Sequence, residues 1–336
     1  MQLPPKSSIP LPTTLQELTH FEDIRERQIY KFLLLRSACV LKNHGDDLAA
    51  QSLCEIALDP SLNRSNDWVA TPDAIEVIAP TEFSFTEQLS FNKEPINAEI
   101  IRAFTISSNT GPNLEPKYRF TQIRTFGNKL EITLAPSSWQ EGKSFHKAVQ
   151  DHPEHFLRSQ NNWVVPMPLG EVILPGIAVI HGIVLTSDNR LLLVQRSSKL
   201  SYAPLHWSAS FEEQITASDM KNNTPLTDAA RRGMMEEFGI KVSRDKVQPI
   251  SMILEIGFLN LASVVLIHTN ETAKEIQQKW SNKESVEGAW EANALDSIEV
   301  SRKNLDSLAT AKTRPRQLHP TSQIRCALLA RWLQLP

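Results

Sequence analysis

Among the 336 residues, no stretch of about 18 consecutive apolar residues occurs, which excludes a membrane-spanning helix on hydropathy. The opening residues, MQLPPKSSIPLP, lack the apolar core of a secretory leader. Cysteine is scarce. Cys39, Cys54 and Cys326 are odd in number, far apart and without C-x-x-C spacing, so neither a disulfide framework nor a zinc site is indicated. Glycine is thin at 11 residues, and there are no internal repeats or low-complexity tracts. The net charge of −3 is small, which argues against a general electrostatic pull toward nucleic acid or anionic membrane. These absences lead us to expect a cytoplasmic protein with no nucleic-acid or membrane partner.

What is present is ordinary globular composition, 41% hydrophobic and 22% charged, and a length that admits two domains. Residues 1–12 are Pro-rich and read as an extended lead-in. Thr14 and Glu17 have capping-box form, and Leu15, Leu18, Phe21, Ile24, Phe32 and Leu33 recur at helical spacing, predicting a helix over 14–42. Gly45 punctuates it, and a second helix over 47–57 stops before Asp59-Pro60, so 14–58 is helical. From 74 to 140 the texture is strand-rich, with strands expected over 74–79, 100–107, 117–124 and 129–135. Phe126-Gly127-Asn128 reads as a tight hairpin connection. A short helix and a polar linker follow within 141–166. The expected boundary near 165 separates an N-terminal α+β region (1–165) from a second domain (166–336).

In that second domain, strands over 177–185 and 190–195 are joined by a turn at Ser187-Asp188-Asn189, and an insertion-like loop over 216–223 precedes a helix, Pro225–Phe238. Four signals define this helix: Thr224 as N-cap, Pro225 at its first position, Asp228 in its first turn and Gly239 just past its end. Strands over 250–259 and 262–268, a helix near 272–280, a strand near 297–300 and a terminal helix over 322–335 follow. The order predicts an α+β fold whose second domain is an α/β/α sandwich with a mixed sheet.

The helix carries adjacent acids, Glu236 and Glu237, with Arg232 one turn before Glu236. The bland alternative is a solvated charged face and an ordinary helical ion pair. Gly233, inside the helix, costs about 1 kcal/mol relative to Ala, so helix stability alone does not explain it, and close approach of a substrate, backbone or neighbouring side chain is expected there. Glu255 interrupts an apolar strand and needs a partner or a cleft. Glu284, Glu287 and Glu291 surround Trp290.

The run AARRGMMEEFGI at 229–240 resembles the Nudix box, G-x5-E-x7-R-E-U-x-E-E-x-G-U, with U a bulky aliphatic residue. Arg232 stands at the box Arg, Met234 at the first U, Glu236 and Glu237 at the paired Glu, Gly239 at the Gly and Ile240 at the last U. GIVLTSDNRLLLVQR at 182–196 is similar to the strands that precede the box. Pro204-Leu205-His206-Trp207 resembles the P-G-x-W segment, and His319-Pro320-Thr321-Ser322 resembles a branch that includes UDP-glucose pyrophosphatase-like members. The resemblance covers about 160 residues. Three departures stand out: Gly233 replaces the Glu after the box Arg, Thr224 replaces the upstream Glu, and Ser208-Ala209-Ser210 replaces the usual Gly-Gly.

The resemblance implies Mg²⁺- or Mn²⁺-dependent cleavage of a nucleoside diphosphate linked to another moiety. Hard cations held by carboxylates neutralise a diphosphate and activate water. Glu236 and Glu237 would hold metal, Glu212 or Glu213 would swing in above Gly233 to replace the missing ligand, and Glu287 would act as base. Arg196 and Arg232 would sit near the phosphates, and Trp207 or Trp290 would stack on a base; His319 is expected to cap or pack at the last helix. The competing expectation is a Nudix-type fold that has lost catalysis and binds a nucleotide or a protein as a sensor or scaffold. A third makes the N-terminal half the functional module and the rest its platform, with room for a homodimer.

Overall fold

A computed structural model of the chain describes residues 45–57, 71, 73–78, 80–87, 116–126, 129–151, 170–171, 176–257, 260–282, 290–310 and 317–334, with Leu34 and Ala38 besides. The helix expected over 14–42, apart from those two residues, and the strand expected over 100–107 lie outside the described residues.

The N-terminal part supplies helix α1 (Asp47–Ala57) and strands β1 (Ala74–Ile78), β2 (Glu82–Glu87), β3 (Lys117–Phe126) and β4 (Lys129–Ser137). Helix α2 (Trp139–Asp151) and strand β5 (Gly170–Glu171) complete it. β3 and β4 form the expected antiparallel hairpin, with Phe126 opposite Lys129, within a four-stranded sheet ordered β2-β4-β3-β5.

The remainder contributes β6 (Val179–Leu185), β7 (Arg190–Arg196), β8 (Trp207–Ser208), β9 (Phe211–Gln214), helix α3 (Pro225–Phe238), β10 (Val247–Glu255) and β11 (Asn260–His268). Helix α4 (Ala273–Ser281), β12 (Ala292–Glu299), α5 (Arg302–Thr310) and α6 (Ser322–Trp332) close the sequence of elements. The main sheet runs β1-β10-β11-β6-β7-β12, with β11 and β6 parallel and the other neighbours antiparallel. β1 comes from before the expected boundary near 165, so this sheet draws on both sides of it.

Alternation along the strands divides the core. Ile180, Val184, Leu192, Val194 and Phe211 pack with Leu226, Ala230, Met234 and Phe238 of α3 and Ile276 of α4. Ile183, Leu185, Leu191 and Leu193 pack with Leu305 and Leu308 of α5 and Ile324, Leu328 and Leu329 of α6. The result is the α/β/α layering expected for the second half of the chain. Tyr118, Phe120, Ile132 and Phe145 of the N-terminal part belong to the α3-side core, so that core is continuous across the two parts. Among the described residues, no helix is long and apolar enough to cross a membrane.

Several sequence expectations need correction. The stretch read as an insertion-like loop contains a short 3-10 helix, Ala217–Asn222, closed by a capping box between Thr216 and Asp219. α3 does begin at Pro225 and ends with Gly239 in the left-handed region at φ 66°, but Thr224 does not cap it through its side chain. The Thr224 hydroxyl instead donates to Asp228 at 2.9 Å. β8, β9 and α5 are too short or too polar to be read from periodicity and were not expected.

Candidate carboxylate site

β6 and β7 pair only where Leu185 meets Leu191, then splay apart. The segment 207–214 fills the gap, with β8 on β7 and β9 on β6. Ser210 pins it there: its hydroxyl donates to the Leu192 carbonyl at 2.8 Å and accepts from the Val184 amide at 3.1 Å. β9 is therefore held rigidly, and its side chains alternate between the two faces. Phe211 and Glu213 face α3, while Glu212, opposite His181, faces α6.

Phe211 explains Gly233. A Cβ on Gly233 would lie 3.2 Å from Phe211 Cδ2 and Cζ and closer still to Cε2, and a Cβ on Gly182 would lie 2.7 Å from Cζ. The ring is sandwiched between two glycines. This overturns the expectation that a Glu212 or Glu213 carboxylate occupies the space above Gly233, because an aromatic ring fills it.

Glu212 is instead the centre of a network on the α6 face. Its carboxylate accepts from Arg196, Arg325 and the Ser208 hydroxyl. Arg325 is fully buried and also donates to Thr321 Oγ1 at 2.8 Å and to His319 Nδ1 at 3.2 Å. His319 Nδ1 accepts a second bond from the Thr321 amide at 3.3 Å, which puts the ring proton on Nε2. The expected capping and packing role of His319 at the last helix is what this arrangement performs. His181 Nδ1 meets Thr321 Oγ1 at 2.8 Å. Burial opposes ionisation of Glu212, but His319, Arg325 and Arg196 outweigh it and hold the carboxyl well below the usual range. Burial pushes His319 itself down to about 3, so at neutral pH the two guanidiniums supply the charge. Glu212 is thus committed to two arginines and is removed from the expected metal-ligand set.

The α3 face has the opposite balance. Glu237 is buried, and burial, then repulsion from Glu291, Glu213 and Glu212, raises its carboxyl well above the ordinary value against the pull of Arg196. Burial and repulsion from Glu236, only partly relieved by Arg232, push Glu213 up to about 7. Glu291, just ahead of β12, is raised by burial and by Glu212 and Glu236 despite Arg196. Glu236 is more exposed and accepts from Arg232 at 3.1 Å.

Arg232, expected to lie near phosphate, is a cross-link. It donates to Asp219 (3.1 and 2.9 Å), to the Gln214 carbonyl (2.7 Å) and to Glu236, and pairs with Glu213 at 3.2 Å. Its hold on β9 and the 3-10 helix fixes Glu213 beside α3. Arg196 is likewise positioned by protein groups, Glu212 and the Tyr202 carbonyl (3.3 Å). Glu255 finds the partner expected of it, accepting from the Tyr202 hydroxyl, and burial raises it to about 7. Trp207 packs against the α6-side core and its amide donates to the Gln317 carbonyl at 2.8 Å, which places it apart from the carboxylates of the α3 face. Trp290 is exposed, next to Glu291. Glu284 and Glu287 lie outside the described residues.

Among the described residues, no three His, Cys, Asp or Glu side chains converge closely enough to hold a metal ion by themselves. The donors present are hard carboxylate oxygens that repel one another, the type that Mg²⁺ takes one or two of when other oxygens complete its shell. Sequence reasoning missed Phe211, Asp219, Tyr202 and Arg325, whose roles come from distant partners; only the Thr216-x-x-Asp219 spacing offered a local signal.

No protein-family model matches the chain, and no curated protein does. Among solved structures, the chain is similar to the DR0079 protein of Deinococcus radiodurans at 11% identity and a TM-score of 0.33, covering 45% of this chain and 82% of that one. It is also similar to a MutT/nudix family protein from Enterococcus faecalis at 13% identity and a TM-score of 0.35, covering 47% of this chain. The match spans 62% of the Enterococcus protein, less than two thirds of its length.

Proposed function

We propose that the chain is a Nudix-type hydrolase that cleaves the diphosphate of a nucleoside diphosphate linked to another moiety. One observation carries this reading: Glu237, on the helix whose sequence resembles the Nudix box and which packs on β9, is buried within reach of the charges of Glu291 and Glu213. Buried acids that raise one another's pKa values are costly, and such arrangements cluster at sites that bind cations or move protons.

Mg²⁺ or Mn²⁺, bound together with the diphosphate, would supply charge neutralisation and polarise the phosphorus under attack. Glu237 and Glu236 are the carboxylates we assign to that cation. Glu213, held by Arg232 and the Gln214 amide, is the proton acceptor, because a carboxyl near 7 suits proton abstraction at neutral pH. Water adds to one phosphorus, its proton passes to Glu213, the bridging P–O bond breaks and two phosphate-bearing products leave.

The test is turnover of UDP-glucose, ADP-ribose, NAD and dinucleoside polyphosphates with 5 mM-scale Mg²⁺ or Mn²⁺, on the order used to saturate weak sites. Release of a nucleoside monophosphate by the wild type that disappears in Glu237→Gln supports the reading. Absence of turnover across the panel, with either metal and from pH 6 to pH 9, overturns it.

A further inference from the structure

α3 has an outer face as well as the one that carries the buried acids. Asp228, Arg231, Arg232 and Met235 recur at helical spacing and share that outer side. Beside them lie the 3-10 helix Ala217–Asn222 and the chain that leaves α3 at Lys241 and Val242, and a cleft of about 500 Å³ opens between the three. That volume falls among small-molecule sites, roughly 300–1,000 Å³. Gly239, in the left-handed region, ends α3 and lets the chain turn back, and the Val242 carbonyl then accepts from Arg231 Nε at 2.8 Å, which fixes one wall. The 3-10 helix forms the other, held by Arg232 on Asp219 at 2.9 Å and by the Asn222 side-chain amide on Asp228 at 3.2 Å.

Both acids that line the cleft are already satisfied. Asp219 accepts from Arg232 and from the amide and hydroxyl of Thr216. Asp228 accepts from Thr224, Asn222, Arg231 and Arg244. The cations retain donors. Arg231 gives Nε to the Val242 carbonyl and Nη1 to Asp228 at 3.3 Å, while its Nη2 has no hydrogen-bond partner among the described residues. Lys241 is exposed and has neither a hydrogen bond nor an ion pair among the described residues. Two arginines share Asp228, so positive charge is in excess there, and Lys241 adds to it. Met235, 46% exposed, and Val242 supply apolar surface beside these charges.

We infer that this cleft binds a phosphomonoester of a small organic molecule, with the phosphate between Arg231 Nη2 and Lys241 and the organic body against Met235 and Val242. A phosphate dianion matches two cations, and a guanidinium fork and an ammonium together meet its oxygens from two directions. The unbranched thioether side chain of Met235 adapts to an irregular apolar body. The inference does not rest on the hydrolase reading. Arg232 lines the cleft and pairs with Glu213 and Glu236, but none of the acids assigned to a cation or a proton lines it. In the alternative, the cleft is a solvated dent and Lys241 an ordinary surface charge.

AMP and adenosine are titrated into the full chain and followed by calorimetry, in EDTA so that no divalent cation recruits phosphate to the carboxylates. AMP binds, and adenosine, which lacks the phosphate, binds on the order of tenfold more weakly or not at all. Lys241→Glu weakens AMP binding on the order of ten- to a hundredfold, while Lys241→Arg retains it. Both variants keep the melting temperature of the wild type, because Lys241 is exposed. Met235→Glu, on the opposite wall of the phosphate position, weakens AMP binding as well. Absence of AMP binding at millimolar concentration, or equal affinity for AMP and adenosine, overturns the inference. So does an AMP affinity unchanged in either Glu variant, or a Lys241→Arg that binds no better than Lys241→Glu. Turnover of the substrate panel with Mg²⁺ is scored separately. A chain that hydrolyses the panel but does not bind AMP in EDTA keeps the hydrolase reading and loses the cleft. A chain that turns over nothing, yet binds AMP in a way that Lys241→Glu and Met235→Glu each weaken, does the reverse.

Discussion

Glu212 and Glu213 are adjacent in β9, yet the two faces of the sheet treat them oppositely. On the α6 face Glu212 meets two guanidiniums and a hydroxyl, and its charge is held well below the usual carboxylate range. On the α3 face Glu213 shares Arg232 with Glu236 and Asp219 and is pushed up to about 7. The α6 side is an electrostatically closed network, in which buried charges satisfy one another and fasten α6 to the sheet. The α3 side carries acids in excess of cations, and an uncompensated buried charge costs stability unless a ligand relieves it. Closed networks hold a fold together; unbalanced ones are where a ligand is expected.

The largest effect that would sharpen this contrast comes from Arg325→Met. Removing one partner of a buried pair leaves Glu212 partly uncompensated, and stability should fall by about 3–5 kcal/mol in urea denaturation. A loss under about 1 kcal/mol would show that the α6 network is not the fastening it is taken to be. Glu237→Gln should act in the opposite sense: turnover falls on the order of a hundredfold while stability holds or rises, since a buried acid whose ionisation its surroundings oppose is replaced by a neutral amide. A variant that loses stability in step with activity would break the comparison.

Protonation gives a third test. Glu213 has a folded value near 7 against an ordinary 4.5, so its stabilising contribution is present below pH 4.5 and is lost as pH rises through 7. Glu213→Gln loses nothing over that range. The stability of the variant minus that of wild type should therefore climb by roughly 2–3 kcal/mol between about pH 4.5 and pH 7, measured by denaturation at several pH values. Taking the difference cancels the opposing trend from His181 and His319, which burial holds neutral. A pH-independent difference would place Glu213 in the same class as Glu212. The smallest effect is at Gly233→Ala, where the ring of Phe211 leaves no room for a methyl group. Overpacking of about 1–3 kcal/mol outweighs the helix gain of about 1 kcal/mol, leaving a net loss near 1 kcal/mol. Phe211→Leu in the same chain should recover it, and a stabilised single variant would contradict the packing seen here.

Much of α3 was legible in advance. Pro225 at its start, Asp228 in its first turn and Gly239 past its end predict the helix, and the structure has it, with Leu226, Ala230, Met234 and Phe238 buried. The hairpin of β3 and β4 and the strands β6, β7, β10 and β11 were readable for the same reason. Gly233 was recognised as anomalous and as leaving room for a close neighbour, but the side chain expected there was a carboxylate. The ring that needs the space is Phe211, 22 positions earlier by sequence number, and no local pattern links the two.

Helices, strands and their buried faces follow from interactions among residues a few positions apart, so periodicity and caps sufficed to place them. The fate of each acid does not follow that way. Glu212 is held ionised because Arg325 reaches it from 113 residues away, and Glu213 is pushed up to about 7 because burial and Glu236 act on it instead. Identical side chains side by side have their ionisation shifted in opposite directions, since it depends on the solvent excluded and the charges brought near, and both are set only when distant segments pack.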